Sequence, residues 1–522
     1  MPATHVIEAV TESQLLRLGE ALAFIARRGD LFALSGELGA GKTTLARAVI
    51  RALSGDKDEE IPSPTFTLVQ TYATPRMQVA HFDLYRLGAA AELEELGLDL
   101  ALKNGIALIE WPERVGDLLP GDRLEIRIDD DGSSGATRRL TLTGHGDWAA
   151  RLDRFMAMRN LIGGGGGANG SGNGGDCELR YLQGDASVRR YGRLLRHGTP
   201  DAILMDWPRQ PDGPPIRNGL PYSRLAHLAE DVRPFVAVAD ALAAAGLTVP
   251  RIRARDLDNG FLLLDDLGDR VFGREIVDGT NQATLWQAAT DALVALSRAP
   301  APQTLPVAGG GEHRVSAYDV GAMAIEAELI TDWYWPALRG DQLPADDRMT
   351  FSALWSDIFT DLAKMPAAWV LRDYHSPNLL WLPEREGIAR VGVIDFQDAM
   401  RGPAAYDLVS LLQDARVDVA PELEAELFER YCAGVAANPG FDRDAFAFAY
   451  AALGAQRNTK IVGIFARLAK RDGKPQYLHH IPRLWRYLDR DLAHPRLAPL
   501  KRWYDAHFPA DARAIPAAIP VV

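Results

Sequence analysis

The sequence predicts an α/β domain joined by a glycine-rich segment to a larger, bilobal α+β domain. Three observations support this prediction. Residues 31–34 form a short apolar stretch that runs into a glycine-rich loop and then into helix-forming residues. Nine of the thirteen residues from 163 to 175 are glycine. Beyond them, Asp373 and Asp395 follow two separate apolar stretches. A chain of 522 residues is too long for one hydrophobic core, so several domains are expected.

The glycine-rich segment marks the predicted domain boundary. Glycine, with asparagine and serine as fillers, has no apolar surface to bury and loses much backbone entropy on ordering, so a flexible coil is expected. A coil connection argues that the two halves work independently, and a cut within residues 163–175 is expected to leave both activities intact. The predicted divisions are an N-terminal domain at 1–160, a linker at 161–177, a small lobe at 178–268 and a large lobe at 269–522.

Composition limits the classes of protein that are possible. The net charge of -13 argues against strong direct binding of nucleic acid. Cys177 and Cys432 are the only cysteines, which excludes a disulfide framework and suits a reducing compartment. We find no apolar run long enough to span a membrane and no signal-like N-terminus. A cytoplasmic protein that does not associate with membranes is therefore predicted.

The first elements lead into a phosphate-binding loop. Thr11 is placed to cap a helix in which Leu15 and Leu22 recur at helical spacing. Residues 31–34 then form a predicted buried strand, and residues 36–43 have the sequence GELGAGKT ahead of a second helix. A strand, a glycine loop and a helix in this order are the setting that a P-loop requires.

The P-loop predicts binding of ATP and Mg²⁺. Its glycines let backbone N–H groups turn toward phosphate oxygens, and the helix N-terminus adds the positive end of its dipole. Lys42 neutralises the terminal phosphates, and Thr43 offers its hydroxyl to Mg²⁺. The predicted nucleotide-binding residues of this loop are Gly36, Glu37, Leu38, Gly39, Ala40, Gly41, Lys42, Thr43 and Thr44.

Three polar segments follow the P-loop. Residues 63–66, SPTF, contain Thr65 at a switch-like position; Asp83 comes after a strand-like stretch at 77–80; and the apolar residues 107–109 lead into Glu110. Each has an ordinary alternative: a proline turn, a surface acidic residue, or a strand end beside a core tryptophan. In this order, however, carboxylates at strand ends are what Mg²⁺ on a nucleotide needs.

Taken together, these motifs resemble the TsaE family of bacterial ATPases over about residues 5–155. The resemblance implies that Lys42 and Thr43 serve the phosphates and Mg²⁺, and that Thr65 is the switch threonine. It implies further that Asp83 is a metal-side carboxylate and that Glu110, with Trp111, belongs to the hydrolysis site. Family members act with TsaD-like and TsaB-like partners in making threonylcarbamoyladenosine on tRNA. A hairpin of residues 123–128 and 138–142 is predicted to complete the sheet.

The region after the glycine-rich segment predicts the small lobe of a kinase-like fold. Residues 184–191, GDASVRRY, link two strand-like stretches, and Ser187, Arg189 and Arg190 are candidate phosphate contacts. The next strand ends in Asp206, where a protein kinase has a lysine. Phosphate neutralisation must then come from elsewhere, and Arg189 or Arg190 are the nearest cations.

The strongest chemical signal lies at residues 369–398. Asp373 is followed five residues later by Asn378, the spacing of a kinase catalytic loop in which the aspartate accepts the hydroxyl proton and the asparagine holds Mg²⁺. The strand 391–394 then presents Asp395 as a second metal ligand. The alternative is that Asp373 caps a turn and Asp395 makes a surface ion pair. His375 is expected to be structural rather than a base, and the polar cluster 456–460 is either a solvated helix face or part of the site.

These motifs resemble the aminoglycoside phosphotransferase family over about residues 180–500, and within it the anomeric N-acetylmuramate/N-acetylglucosamine kinases. The resemblance implies ATP-dependent phosphorylation of the anomeric hydroxyl of an amino sugar in cell-wall recycling. Asp373 is then the catalytic base, and Asn378 and Asp395 are metal ligands. A helix that the family has before GDAS is replaced by the glycine-rich segment. The alternatives are an aminoglycoside, choline or homoserine-type kinase, and an N-terminal half that serves only as a nucleotide-dependent interaction module.

Overall fold

The structure is a computed structural model that describes residues 2–88, 92–132, 137–164, 177–182 and 189–516. The chain divides into two compact units. The first consists of Met1–Pro208 and Ile252–Asp266, and the second of Arg209–Arg251 and Leu267–Val522. Within the described ranges, no helix is long and apolar enough to cross a membrane.

The N-terminal domain alternates strands with helices. Its strands are β1 (Ala3–Val10), β2 (Leu31–Gly36), β3 (Val69–Ala73), β4 (Gln78–Asp83), β5 (Gly105–Glu110), β6 (Arg123–Asp130) and β7 (Arg138–His145). Its helices are α1 (Glu12–Ile25), α2 (Lys42–Ser54), α3 (Glu92–Glu95), α4 (Leu98–Asn104) and α5 (Trp148–Gly164). The described strands form one sheet in the order β1-β7-β6-β2-β5-β4-β3.

The centre of this sheet is parallel, and that arrangement positions the nucleotide loop. β2 pairs in parallel with β5 and β6, and β4 pairs in parallel with β5, so the carboxyl ends of β2, β4 and β5 meet at one edge. The predicted hairpin is confirmed as β6 and β7, which pair antiparallel. The predicted cap is also confirmed, since Thr11 Oγ1 accepts from the backbone N–H of Gln14 at 3.3 Å.

The region that follows forms a second sheet within the same unit. Its strands are β8 (Cys177–Leu182), β9 (Arg190–Arg196), β10 (Thr199–Asp206), β13 (Ile252–Asp256) and β14 (Phe261–Asp265). The chain between β10 and β13 belongs to the second unit and forms β11 (Pro215–Arg217), β12 (Leu220–Pro221), α6 (Tyr222–Leu225) and α7 (Arg233–Ala244). The sheet is antiparallel, in the order β13-β14-β10-β9-β8.

The structure narrows the predicted linker 161–177. α5 continues to Gly164 because Ile162 packs into the core, and β8 begins at Cys177. Residues 165–176 lie outside the described residues. One apolar face of the second sheet shares a hydrophobic cluster with α1 and α5, so this sheet packs against the N-terminal domain. The expected independence of the two activities stays a prediction.

The second unit is mainly helical after residue 266. Its further helices are α8 (Phe272–Val277), α9 (Gln282–Leu296), α10 (Val320–Ala327), α11 (Trp335–Arg339), α12 (Ala345–Leu362), α13 (Ala405–Leu412), α14 (Pro421–Val435), α15 (Arg443–Asp472), α16 (Ile481–Leu492) and α17 (Ala498–His507). Its short strands are β15 (Thr304–Pro306), β16 (Glu312–Arg314), β17 (Ala368–Val370), β18 (Leu379–Trp381), β19 (Val391–Val393) and β20 (Met400–Gly402). The β17–β20 and β18–β19 pairs form two small ribbons that carry the polar motifs.

The polar cluster 456–460 lies on α15 in the interior of this unit. Gln456, Asn458 and Thr459 are fully buried, and Arg457 is nearly so. The solvated-face alternative is therefore wrong, because a long helix packed on several sides has no face in water.

Candidate functional sites

The P-loop adopts the geometry that its glycines predict. Gly36 has a φ of 140°, and a Cβ there would lie 2.3 Å from the carbonyl oxygen of Ile128. Gly41 caps α2 with a φ of 115°, in the left-handed region that favours glycine. A cavity of about 890 Å³ adjoins the loop and is lined by residues 35–40, by Trp111 and by several residues of β6.

Lys42 is held at the base of this loop by three contacts. Its Nζ donates to the carbonyl oxygens of Gly36 at 2.7 Å and Glu37 at 2.8 Å, and it lies 3.7 Å from the ring centroid of Trp111. Burial lowers the pKa of Lys42, while Glu110 and other carboxylates oppose that change. Bound phosphate would give this buried ammonium group a charged partner in place of carbonyls.

The predicted carboxylates converge at the edge where the parallel strands end. Asp83 and Glu110 are register partners on β4 and β5, and both are buried. Thr43 Oγ1 donates to Glu110 Oε2 at 2.9 Å, and Thr65 Oγ1 donates to Asp83 Oδ2 at 2.8 Å. The structure thus brings together the hydroxyls and carboxylates that were predicted from distant motifs. Hard oxygen donors fit Mg²⁺, so this set fits the metal that the motif implies.

Two residues of this site were not predicted from sequence. His81 is fully buried, and its Nε2 lies 2.8 Å from Oε1 of Glu110. Ser63 Oγ donates to Asp83 Oδ2 at 3.3 Å. His81 and Asp83 stand two residues apart on one strand, so their shared face was the signal that could have identified the histidine.

Arg189 and Arg190, two predicted phosphate contacts of the second sheet, contact other protein groups in the structure. Arg190 donates to the carbonyl oxygen of Ile25 at 3.1 Å, at the end of α1. Arg189 lies 5.0 Å from the ring centroid of Trp207. Ser187 lies outside the described residues. Asp206 is buried in an ion pair with Arg154 of α5. The roles of Ser187, Arg189 and Arg190 in phosphate binding therefore stay predictions.

In the second unit, the structure brings together Asp373, Asn378 and Asp395. The amide nitrogen of Asn378 donates to the carbonyl oxygen of Asp373 at 3.0 Å and lies 3.5 Å from Asp395 Oδ2. The backbone of Ile394 donates to the carbonyl oxygen of Asn378 at 3.1 Å. Asp395 has a φ of 63°, a conformation unusual for aspartate that is often found at functional sites.

This arrangement fits a divalent cation bound to nucleotide phosphates. Mg²⁺ is commonly held by one or two protein oxygens, with phosphate oxygens and water completing its shell. Within the described residues there is no cluster of three or more histidine, cysteine or acidic side chains that could hold a metal ion. A carboxylate from Asp395 and an amide oxygen from Asn378 fit the sparser, phosphate-dependent arrangement.

The electrostatic surroundings of Asp373 favour its ionised form. Partial burial raises the pKa of this carboxyl, while nearby positive charges, Lys460 and Arg372 among them, lower it, and the resulting pKa lies below its usual value. His375 itself is buried, which lowers its pKa to about 4, and its Nε2 lies 3.9 Å from Asp373 Oδ1. A neutral, buried ring in these contacts agrees with the expected structural role.

Two aspartates that were not predicted as site residues hold the catalytic loop. Asp407 on α13 accepts from the backbone N–H groups of Leu371 at 2.7 Å and Arg372 at 3.0 Å. Asp414 accepts from the backbone N–H of Ser376 at 2.7 Å. Carboxylates that bind buried backbone donors fix the loop on both sides of Asp373.

A buried cluster of charged residues around Glu326 contacts the same loop through Arg372. Glu326 is fully buried, pairs with Arg372, and accepts from Lys460 Nζ at 2.9 Å and from Tyr318 at 2.7 Å. Burial raises the pKa of Glu326, but Lys460 and Arg372 outweigh it and bring the pKa to about 2. Lys460, from the polar cluster on α15, is thus a structural neighbour of the catalytic loop.

The folds and the two sites define a P-loop nucleotide-binding domain followed by a kinase-like phosphotransferase. The family model described as "Threonylcarbamoyl adenosine biosynthesis protein TsaE" matches residues 9–140, and the one described as "Phosphotransferase enzyme family" matches residues 178–448. The chain belongs to the phosphotransferase enzyme family, and its N-terminal residues belong to the TsaE family. These are ATP-using families that typically use Mg²⁺.

Relatives of both parts are similar over most of their own length. An N-acetylmuramate/N-acetylglucosamine kinase of Caulobacter vibrioides is 43% identical over 348 residues, which cover 65% of this chain and 94% of that protein. The kinase of the same name from Pseudomonas aeruginosa is 37% identical, over 62% of this chain and 87% of that protein. A tRNA threonylcarbamoyladenosine biosynthesis protein TsaE of Rickettsia bellii is 40% identical, over 23% of this chain and 85% of that protein. The predicted fold class and the predicted union of two families are confirmed.

Proposed function

We propose that the chain carries two ATP-dependent activities. The N-terminal domain is an ATPase that supports threonylcarbamoyladenosine modification of tRNA together with TsaD-like and TsaB-like partners. The C-terminal half is a kinase that phosphorylates the anomeric hydroxyl of N-acetylmuramate or N-acetylglucosamine. Cys177 and Cys432 are buried thiols, which is consistent with the reducing cytoplasm in which both substrates would be met.

The placement of Asp373 carries the kinase proposal. Its carboxylate is partly exposed, while the residues on both sides are buried. Asn378 donates to its backbone carbonyl oxygen, and Asp407 binds the backbone N–H of the preceding Arg372. An accessible carboxylate in a rigid loop, next to two oxygen donors for Mg²⁺, is the arrangement that phosphoryl transfer to an alcohol needs. The 43% identity to the Caulobacter vibrioides kinase supports an amino sugar as the acceptor.

The proposed phosphoryl transfer follows from these groups. Asp373 orients the anomeric hydroxyl and takes its proton as the sugar oxygen bonds to the γ-phosphorus of ATP and the bond to ADP breaks. Asn378 and Asp395 would hold Mg²⁺, which neutralises charge on the phosphates. An anomeric hydroxyl is more acidic than an ordinary alcohol, so a carboxylate of low pKa suffices as the acceptor.

The proposed ATPase uses the carboxylates at the end of β4 and β5. Lys42 binds the terminal phosphates, and Thr43 and Asp83 would hold Mg²⁺, whose charge neutralises the phosphates. Glu110, oriented by His81, accepts a proton from the attacking water. Thr65 reaches Asp83 through its hydroxyl, which supports a switch role for the segment 63–66.

A product analysis tests the kinase proposal directly. The protein is incubated with ATP and either N-acetylmuramate or N-acetylglucosamine. The product is tested for a reducing end, and the coupling of its phosphorus to the sugar protons is measured by NMR. We expect a sugar 1-phosphate, which has lost its reducing end. A 6-phosphate, or no product from either sugar beside rapid phosphorylation of kanamycin, choline or homoserine, would refute the proposal.

A further inference from the structure

We propose that the N-terminal ATPase domain is a structural part of the kinase small lobe. Helices α1 and α5 cover one face of the five-stranded sheet β13-β14-β10-β9-β8, so the two parts fold and move as one body. The glycine-rich segment then joins two surfaces that are already packed together. This inference concerns architecture and stands apart from the proposed substrates.

A continuous apolar core joins the sheet to the N-terminal domain. The face of the sheet that enters the core alternates along its strands with the opposite face, as the period of a strand requires. The sheet residues in the shared hydrophobic cluster are Cys177, Leu179, Leu194, Ala202, Leu204, Phe261 and Leu263. The helix residues in the same cluster include Phe24, Ile25, Phe155, Met158 and Ile162. A face of this kind left in water would be a large apolar patch, which monomeric proteins avoid.

The C-terminal part of α1 is buried on all sides. From Ala21 to Ala26, every residue is at most 7% exposed, although a helix on a protein surface normally keeps one face in water. α1 packs against α2 on one side and against β8 on another. α5 likewise packs against β1 and β7 of the first sheet and against β13 and β14 of the second. Both helices are therefore a middle layer between two sheets.

An ion pair with a buried carboxylate crosses this contact. Arg154 of α5 pairs with Asp206 at the end of β10, and its Nε donates to the carbonyl oxygen of Asn259 at 2.9 Å. The guanidinium also lies 4.0 Å from the ring centroid of Phe261. Asp206 is only 2% exposed, so loss of Arg154 would leave a buried carboxylate without its counterion.

Further polar contacts satisfy the edge of the sheet. β8 is an edge strand, and the backbone N–H of Leu179 donates to Glu20 Oε2 of α1 at 2.9 Å. An edge strand presents backbone groups that could pair with another chain, and here a side chain of the N-terminal domain binds one of them. The guanidinium of Arg76 lies 4.2 Å from the ring centroid of Tyr181 and donates to the carbonyl oxygen of Ala23.

The test uses the full chain with a protease recognition sequence placed within residues 165–176. After cleavage, verified on a denaturing gel, the mass in solution is measured by size exclusion with light scattering. We expect the two pieces to stay together at the mass of the intact chain, 57.1 kDa. Separation of the pieces into two species in dilute solution would overturn the proposal.

Matched variants on α5 make the test specific. In the cut protein, Arg154→Ala is expected to weaken the association of the pieces by about 100-fold, because it breaks a buried pair. Arg151→Ala is the control, since Arg151 pairs with Asp30 inside the N-terminal domain. It should leave the association unchanged. Equal effects of the two variants would contradict the assigned contact.

Hydrogen exchange on the uncut chain gives a second measurement. Asp206→Asn keeps the volume of the side chain but removes its charge, so the fold is expected to persist. Amide exchange should then rise in β8, β10 and α5 together, because both sides of the contact loosen. An increase confined to β10, with α5 unchanged, would show that the two sides are not one body.

Discussion

The ring of His81 lies 2.8 Å from Oε1 of Glu110, and both side chains are buried. The other oxygen of Glu110 accepts from Thr43 of the P-loop at 2.9 Å. One carboxylate is therefore fixed by a residue of its neighbouring strand and by the nucleotide-binding helix. This arrangement makes the state of the loop and the orientation of Glu110 dependent on each other.

His81→Ala is expected to slow ATP hydrolysis by about 10- to 100-fold, the usual cost of losing a partner that orients a functional group. Nucleotide binding should be retained, because the P-loop residues themselves are unchanged. Hydrolysis is measured with the TsaD-like and TsaB-like partners present, and binding by titration with a fluorescent nucleotide. Loss of binding together with hydrolysis would contradict a positioning role. Glu110→Ala should show the same pattern with a larger loss of hydrolysis.

Lys42→Ala is expected to weaken nucleotide binding to the N-terminal domain by about 10- to 100-fold, because a charged hydrogen-bond donor to phosphate is lost. Sugar phosphorylation should be unchanged, since that reaction uses the second site. Lys103→Ala, an exposed lysine on α4, is the matched control for loss of one positive charge. A fall in sugar phosphorylation equal to the fall in binding would show that Lys42 serves both reactions.

Asp373→Asn is expected to reduce kcat for the sugar by about 10²- to 10⁴-fold, the usual contribution of a general base. The affinity for ATP should be retained, because Asn378 and Asp395 are intact. Asp395→Ala provides the contrast: it should weaken the productive binding of Mg·ATP, and added Mg²⁺ should recover part of the rate. If both variants respond alike to Mg²⁺, the division of roles between the two aspartates is wrong.

Asp407 predicts a pH-dependent contribution to stability. Burial raises the pKa of Asp407 from 3.8 to about 7, despite the backbone N–H groups of Leu371 and Arg372, which lower it. The folded state therefore binds the proton more tightly than the unfolded state, and protonation of Asp407 stabilises the fold. This contribution is complete below about pH 4 and is lost as the pH rises through about 7. The free energy of unfolding of the wild type, minus that of Asp407→Asn, should shrink over this range by at most about 1.4 kcal/mol per pH unit.

Urea unfolding of both proteins at pH 5 and pH 7.5 measures that difference. The variant does not titrate at this position, so it serves as the reference for the wild type at each pH. A difference that stays constant, or grows toward pH 7.5, would mean that the two backbone N–H groups dominate and that the carboxylate is charged in the folded protein.

Motifs whose chemistry is local could be predicted from the amino-acid sequence alone. A P-loop needs particular residues within a short stretch of chain, and so does a catalytic loop with Asp373 and Asn378 five residues apart. Local spacing also predicted the cap at Thr11 and the β6–β7 hairpin, because capping and hairpin pairing join residues that are close along the chain.

Contacts between residues that are distant along the chain could not be predicted in this way. His81 reaches Glu110, and Asp407 reaches Arg372, through strand neighbours and helix packing that no short pattern encodes. The burial of residues 456–459 was undecided from sequence because polar side chains on a helix fit both water and a fully paired interior.

The packing of the second sheet against the N-terminal domain also could not be predicted from the sequence. A glycine-rich sequence predicts a segment with no apolar surface to bury, but it does not indicate whether the surfaces on either side of it attract each other. That depends on Phe24, Phe155 and the apolar face of β8–β10, each of which has an ordinary core pattern when its own segment is considered alone. Hydrophobic association is non-directional and acts between whatever faces the fold leaves uncovered, so its outcome is fixed only in three dimensions.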